Sequence, residues 1–181
     1  MKILVCSTGA SFCKIAVSLI KYLEQNHEIY AIFSKNAKLV LNKENNITEL
    51  NFKKAKILND DDLAQSVASG SFGIEKTIIA PCSSNTLAKI ANGISDTLIT
   101  RAAAISLKEK KPLILAPREM PFSTISLRQM SELSALGVII APPVAADYFS
   151  PENLDDLEKF FIGKWLDLLG IENNLYKRWG K

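Results

Sequence analysis

The sequence predicts an α/β fold, a doubly wound, mostly parallel sheet flanked by helices in a single domain. Three observations carry that expectation. Short apolar runs alternate with helical patterns along the chain, and no hairpin turn joins one run to the next. Several runs end abruptly in small hydroxyl, amide or glycine residues, which is how a strand leads into a helix at the ligand-binding edge of a parallel sheet. At 181 residues the chain can bury about two thirds of its unfolded surface without a disulfide or metal.

Element by element, the expected strands are Ile3 to Cys6, Ile29 to Phe33, Thr77 to Ala80, Pro112 to Ala116 and Val138 to Ala141, with one short strand around Lys56 to Leu58 inside an otherwise polar stretch from Asn42 to Asp62. The first helix is expected from Ser11 onward. Ile15, Ala16, Leu19, Ile20 and Leu23 form its apolar stripe, and Lys14, Ser18, Lys21 and Gln25 its polar face. A helix over Asp155 to Leu169 buries Leu157, Phe160, Phe161 and Leu168, and Lys164 projects between Phe160 and Leu157 on the helical wheel, either snorkelling outward or meeting an anion. The acidic run Asp60-Asp61-Asp62 reads as the cap of a helix that follows it.

Composition restricts the function. The net charge is +3 and the basic residues are scattered, so no nucleic-acid surface is expected, and small acidic ligands fit the mild excess. The apolar run after Met1-Lys2 is too short for a signal sequence and no stretch approaches a membrane span, which points to a cytoplasmic protein. Cys6, Cys13 and Cys82 form no CxxC pair and read as reduced thiols, so no metal is expected.

In a parallel sheet, chemistry belongs immediately after the strands. Ser7-Thr8-Gly9-Ala10-Ser11 is a tight turn whose backbone N–H groups suit a phosphate, and Pro81-Cys82-Ser83-Ser84-Asn85-Thr86 places short donors at a helix N-terminus. Each is also compatible with an ordinary helix cap. No GxGxxG turn is present, so a dinucleotide has no specific support. Arg118-Glu119, between Pro117 and Pro121, sets opposite charges at a potential ligand mouth or in a solvated turn, and Tyr148 follows the Pro142-Pro143 break. His27 is the sole histidine and lies in a polar connector, read as facing solvent, so no Ser-His-Asp or Cys-His pair can be assembled.

Together these segments resemble the flavin prenyltransferases, the UbiX/Pad1 family of the flavoprotein superfamily, from Lys2 to Trp179. The signatures are Thr8-Gly9-Ala10-Ser11, Ser34-Lys35, Ser69-Gly70-Ser71-Phe72, Pro81 to Leu87, Thr100-Arg101-Ala102-Ala103, Leu107 to Leu113, Pro117-Arg118-Glu119-Met120-Pro121, Pro142-Pro143 with Tyr148, and Arg178-Trp179-Gly180. The resemblance implies a Rossmann-like single flavoprotein domain over 1–181, whose C-terminal helix and tail (155–181) close the site or an oligomer interface. It implies transfer of the dimethylallyl group of dimethylallyl monophosphate to N5 and C6 of reduced FMN, without a metal, making prenylated FMN for UbiD-type decarboxylases. Members form homo-oligomers, commonly dodecamers, with sites at subunit interfaces.

By the same resemblance FMN is held by Gly9, Ala10, Ser11, Ser34, Ser83, Ser84, Asn85, Thr86 and Arg118. The allyl phosphate meets Arg101, Lys108, Arg118, Glu119, Tyr148 and Lys164, and the catalytic residues are Ser11, Glu44 and Glu119, with Glu119 as the acid/base. Two departures stand out: Phe12 where many relatives have Gly, and Cys6 in place of a common glycine. The related FMN-dependent cysteine decarboxylases share a similar Ser-Asn-Thr motif, but they need a histidine near the first helix and a Pro-x-Met-Asn clamp, where this chain reads Pro117-Arg118-Glu119-Met120. A non-catalytic FMN-binding subunit is the remaining alternative.

Overall fold

A computed structural model describes residues 1–180. Six parallel strands form one sheet in the order β3-β2-β1-β4-β5-β6, with β1 (Lys2–Ser7), β2 (Glu28–Phe33), β3 (Lys56–Leu58), β4 (Lys76–Cys82), β5 (Leu113–Pro117) and β6 (Ile139–Ile140). The chain builds outward from β1 through β2 to β3, returns to the other side of β1, and continues through β4, β5 and β6. The winding therefore reverses between β1 and β4, where the strand ends diverge and open a crevice. Each expected strand is present. β4 runs two residues further than expected, through Pro81 and Cys82, and β6 is cut to two residues.

The helices are α1 (Lys14–Leu23), α2 (Lys35–Asn45), α3 (Ser84–Ala91), α4 (Leu98–Lys108), α5 (Thr124–Ala135) and α6 (Leu154–Leu168). The apolar stripe of α1 is buried as its spacing predicts, with Ile15, Leu19, Ile20 and Leu23 at 1% exposure or less. Each such side chain contributes about 1.5–3 kcal/mol of burial. The helix starts three residues later than expected, because Phe12 sits at φ 76°, a left-handed conformation that a helix cannot contain. The same conformation suits the glycine expected at that position.

Two expectations fail for identifiable reasons. The polar stretch from Asn42 begins inside α2, whose weak apolar pattern buries only Ala37 and Leu41 and so gives little periodic signal. The acidic run caps no helix after it: turns and a short 3₁₀ segment (Ser66–Ala68) follow. Instead the Asp60 carboxylate accepts the Ile99 N–H at 2.9 Å, and its carbonyl accepts the Leu98 N–H at 2.8 Å, so it caps α4. The partner lies 39 residues away, beyond any local sequence signal.

The chain divides into two compact units, Met1–Pro142 and Pro143–Lys181. The second consists of α6 and a tail. Asn153 caps α6 by accepting the Asp156 N–H, and Asp167 near its end clasps Arg178 at 2.7 Å, Tyr176 Oη at 2.6 Å and Asn173 Nδ2 at 2.9 Å. The Arg178 hydrogen bond holds the Asp167 carboxyl below the usual carboxylate range. Burial, together with the Asp167 hydrogen bond, pushes the Tyr176 phenol up to about 12. A Cβ on Gly163 would lie 2.5 Å from the Tyr176 ring, so the bare helix surface there is what admits the tail. The buried face of α6 also departs from expectation: Leu168 is 43% exposed, Trp165 and Leu166 are buried instead, and Lys164 is exposed.

Burial raises the Asp60 carboxyl pKa above its ordinary value, with the Ile99 N–H working against it. A folded pKa above the unfolded one means that ionisation subtracts from stability as pH rises. Asp60→Asn, which keeps the acceptor and removes the charge, should therefore lose no stability at pH 7, whereas Asp60→Ala should lose about 1 kcal/mol with the cap. Urea denaturation of both variants checks this, and equal losses would contradict it.

Candidate functional site

At the carboxyl ends of β1, β2, β4 and β5 the first unit encloses a cleft of about 490 Å³. The strand ends are tied to one another at this edge. Thr8 N–H and Oγ1 both reach the Pro81 carbonyl, at 3.1 and 3.3 Å, while Thr8 Oγ1 accepts the Ser83 N–H at 2.7 Å. Ser34 N–H donates to the Ser7 carbonyl at 3.0 Å and Arg118 N–H to the Cys82 carbonyl at 3.3 Å. The residues that follow four separate strands are thereby fixed around one opening.

Two helix N-termini face the cleft with short caps. Ser34 Oγ accepts the Ala37 N–H at 3.1 Å at the start of α2. Ser83 Oγ accepts the Thr86 N–H at 3.3 Å at the start of α3 and bonds Thr86 Oγ1 at 3.1 Å. The positive ends of both helix dipoles therefore meet in the same space. Gly9 passes so close to α2 that a Cβ would sit 2.4 Å from Asn36 Cβ, and this approach keeps the floor of the cleft open. Arg118 lines the cleft with its Nε buried and without a hydrogen-bond partner among the described residues. A buried guanidinium N–H lacking an acceptor is costly, and a ligand anion satisfies it. Two open helix N-termini fit the phosphate of a mononucleotide such as FMN, and this guanidinium offers an N–H to an anion in the same cleft.

Gly9, Ala10, Ser34, Ser83, Ser84, Asn85, Thr86, Arg118 and Glu119 all line the cleft. Glu119 is exposed at its mouth and accepts from Ser84 Oγ at 3.4 Å and from the Met120 N–H at 3.2 Å. Ser11 and Glu44 are paired with each other outside that lining: Ser11 Oγ and the Phe12 N–H both donate to Glu44 Oε2, at 3.0 and 3.1 Å. Arg101 and Lys108 are not brought to the cleft. Both are exposed on α4, where Arg101 Nε donates to the Ala68 carbonyl. Lys108 ends this 11-residue helix, about 12 Å along its axis from the cleft-lining Thr100. Tyr148 and Lys164 belong to the second unit, where Tyr148 packs edge-on against Phe160 and Trp179.

Asp60, Lys89 and Thr97 also line the cleft and escaped the sequence reading. Asp60 follows β3, so applying the strand-end rule to that short strand would have located it. Lys89 pairs with Asp96 at 2.6 Å.

The thiols and the histidine have other places. Cys6 and Cys82 are fully buried, burial pushes Cys82 up to about 12, and neither lines the cleft, so Cys82 has no contact with a ligand there. Burial raises Cys13 as well. His27 directly precedes β2, at the amino ends of the strands and across the sheet from the cleft. It is half-buried rather than solvent-facing, with Nδ1 buried.

Comparison with known proteins agrees with this arrangement. The Flavoprotein family pattern matches residues 1–164. A flavin prenyltransferase UbiX of Campylobacter jejuni is 53% identical across 99% of this chain and 98% of its own length. The chain belongs to the flavin prenyltransferase family of flavoproteins. Among solved structures, AnUbiX (PadA1), in complex with FMN and dimethylallyl pyrophosphate, superposes with a TM-score of 0.95 at 35% identity, over 99% of this chain and 97% of that one. A dodecameric FMN-dependent UbiX-like decarboxylase from Escherichia coli O157:H7 matches with a TM-score of 0.93 at 38% identity, over the full length of both.

Burial, followed by the nearby terminal ammonium, lowers the His27 pKa. A histidine whose folded pKa lies below the unfolded value of about 6.5 favours the neutral form in the fold. Its contribution is complete above about pH 6.5 and is lost as pH falls from there toward the folded value. NMR titration of this single histidine should show the depressed pKa, and His27→Gln should flatten that part of the stability profile. A titration at or above 6.5 would refute the assignment.

Proposed function

We propose that this protein transfers the dimethylallyl group of dimethylallyl monophosphate to N5 and C6 of reduced FMN, in the cytoplasm and as a homo-oligomer, and that the prenylated flavin serves decarboxylases of the UbiD type. The observation that carries the reading is the Arg118-Glu119 pair in a cleft with two helix N-termini, in a chain 53% identical to a flavin prenyltransferase over nearly its whole length.

Bound in the cleft, reduced FMN supplies the electron-rich nitrogen and carbon that receive the allyl group. Ser34 and the Ser83 to Thr86 turn hold its phosphate through backbone N–H groups, with Gly9, Ala10 and Ser11 beside them. Arg118 stabilises the charge that develops on the departing phosphate as the allylic C–O bond breaks, through an N–H that has no partner among the described residues. Glu119 takes the proton released when the second carbon bond forms, from a position held by Ser84 and the Met120 N–H. The Ser11 hydroxyl donates to Glu44, which leaves its own lone pairs to accept a hydrogen bond. Tyr148 and Lys164 are assigned to the allyl phosphate by analogy with the family. The cysteine-decarboxylase alternative lacks its histidine, because His27 sits at the opposite edge of the sheet.

Arg101 and Lys108 match the family's substrate residues, yet α4 carries them away from the cleft of their own chain. We infer that they serve the cleft of a neighbouring subunit. Mixed oligomers of an Arg118-deficient chain and a Lys108-deficient chain should then recover part of the activity that each homogeneous oligomer lacks, and no recovery on mixing would overturn the assignment.

The function is tested by incubating the protein with reduced FMN and dimethylallyl monophosphate and weighing the extracted flavin, which should gain one C5H8 unit. Unchanged flavin mass would refute the reading. Glu119→Gln should retain both ligands and lose turnover by about 10²- to 10⁴-fold. A variant with wild-type turnover would remove Glu119 from proton transfer.

A further inference from the structure

Apart from the cleft, the first unit carries a second concavity, of about 860 Å³, between the C-terminal end of α1 and the segment following α2. Phe52 lies in it with its ring stacked on Phe33, centroids 6.4 Å apart at 17°. Lys21, Lys53 and Lys54 form an exposed rim. None of the three pairs with a carboxylate among the described residues. The lining carboxylate, Glu24, is turned into the backbone, with Lys53 the rim lysine whose charge acts on it. It is 6% exposed and accepts the backbone N–H groups of Lys53, Lys54 and Ala55 at 3.3, 2.8 and 3.0 Å. Burial works to raise its pKa and these N–H groups outweigh it, so Glu24 stays ionised and turned into the backbone. The groove is thus an aromatic patch ringed by ammonium groups, which selects an anionic ligand bearing an apolar tooth.

The second unit carries a surface of that description. Asp147, Glu152, Asp155, Asp156 and Glu158 occur before any lysine or arginine, which first appears at Lys159. Asp147, Glu152 and Asp155 are exposed, and Leu154 among them, in the first turn of α6, is 77% exposed. A leucine so exposed between carboxylates has the size and charge setting that the groove selects.

We propose that the groove of Lys21, Phe52, Lys53 and Lys54 on one subunit receives the Leu154 segment of a second copy, with Leu154 on the Phe52 ring and Glu152 and Asp155 facing the lysines. The contact is isologous or ring-forming according to whether it is reciprocated, and in either case it holds two chains together by complementary charge around an apolar centre. It does not depend on the prenyl-transfer reading, since no groove residue lines the cleft.

Native mass spectrometry and light scattering test it on the full chain. Lys53→Glu/Lys54→Glu should shift the assembly to smaller species, and Glu152→Lys/Asp155→Lys should do the same. Both changes leave the backbone N–H groups that hold Glu24 in place. A chain carrying all four substitutions restores opposite charges across the contact and should reassemble to the wild-type mass. Wild-type assembly should weaken as salt is raised, because exposed charge pairs are screened within about 10 Å at 0.1 M. Far-UV circular dichroism should be unchanged in every variant, which separates lost assembly from lost folding. Retention of the wild-type mass by either doubly charge-reversed chain, failure of the fourfold variant to reassemble while it keeps the wild-type circular dichroism, or a wild-type protein that is a single chain would each overturn the proposal. An acidic peptide or another protein occupying the groove while the assembly mass is insensitive to these substitutions would overturn it as well.

Discussion

The side chain of Thr8 is the point on which the site depends. The winding of the sheet reverses between β1 and β4, so the two strands part at their carboxyl ends with backbone groups left to satisfy. Thr8 closes that gap: its N–H and hydroxyl reach the Pro81 carbonyl while its oxygen accepts the Ser83 N–H. Ser83 is thereby set as the cap of α3, and Gly9 is turned against α2. Thr8 is 3% exposed, so these bonds compete with little water. One buried hydroxyl thus aligns two strand ends and two helix starts around the same opening.

Electrostatics then divides the cleft. Three helices begin at it, but their N-termini are not equivalent. At α4 the Asp60 carboxylate already occupies the Ile99 N–H, so that dipole is met by the protein's own anion. At α2 and α3 the caps are neutral serines, which satisfy one N–H each and leave the positive ends open to a ligand. Arg118 adds a full charge on the β5 side, its Nε–H having no partner among the described residues. An anion entering the cleft is therefore drawn to the α2, α3 and Arg118 side and repelled from the Asp60 side.

The nucleophiles and bases that usually do chemistry are kept out of this space. Cys6 and Cys82 are enclosed in the core, with burial raising both thiols far from the thiolate form. His27 lies at the amino ends of the strands. What remains at the cleft are carboxylates, hydroxyls, amides and cations, a set suited to binding a phosphate, stabilising its departure and moving one proton.

Much of this was legible from residues alone. The parallel sheet, the buried stripe of α1 and the cradle residues from Gly9 to Ala10 and from Ser83 to Thr86 follow from local patterns, because a strand that ends in small polar residues records both its own hydrogen bonding and the helix that comes next. The amphipathic weakness of α2 and the true buried face of α6 were not legible, since propensity yields to packing where the apolar stripe is thin. Only the tertiary structure decided that Asp60 caps a helix 39 residues away, that Ser11 and Glu44 share a hydrogen bond across 33 positions, that Lys164 is exposed, and that Lys108 ends its helix away from the cleft. Each of these depends on where the chain returns in space, which a one-dimensional pattern does not encode, whereas the character of the strand ends is set by neighbours in sequence.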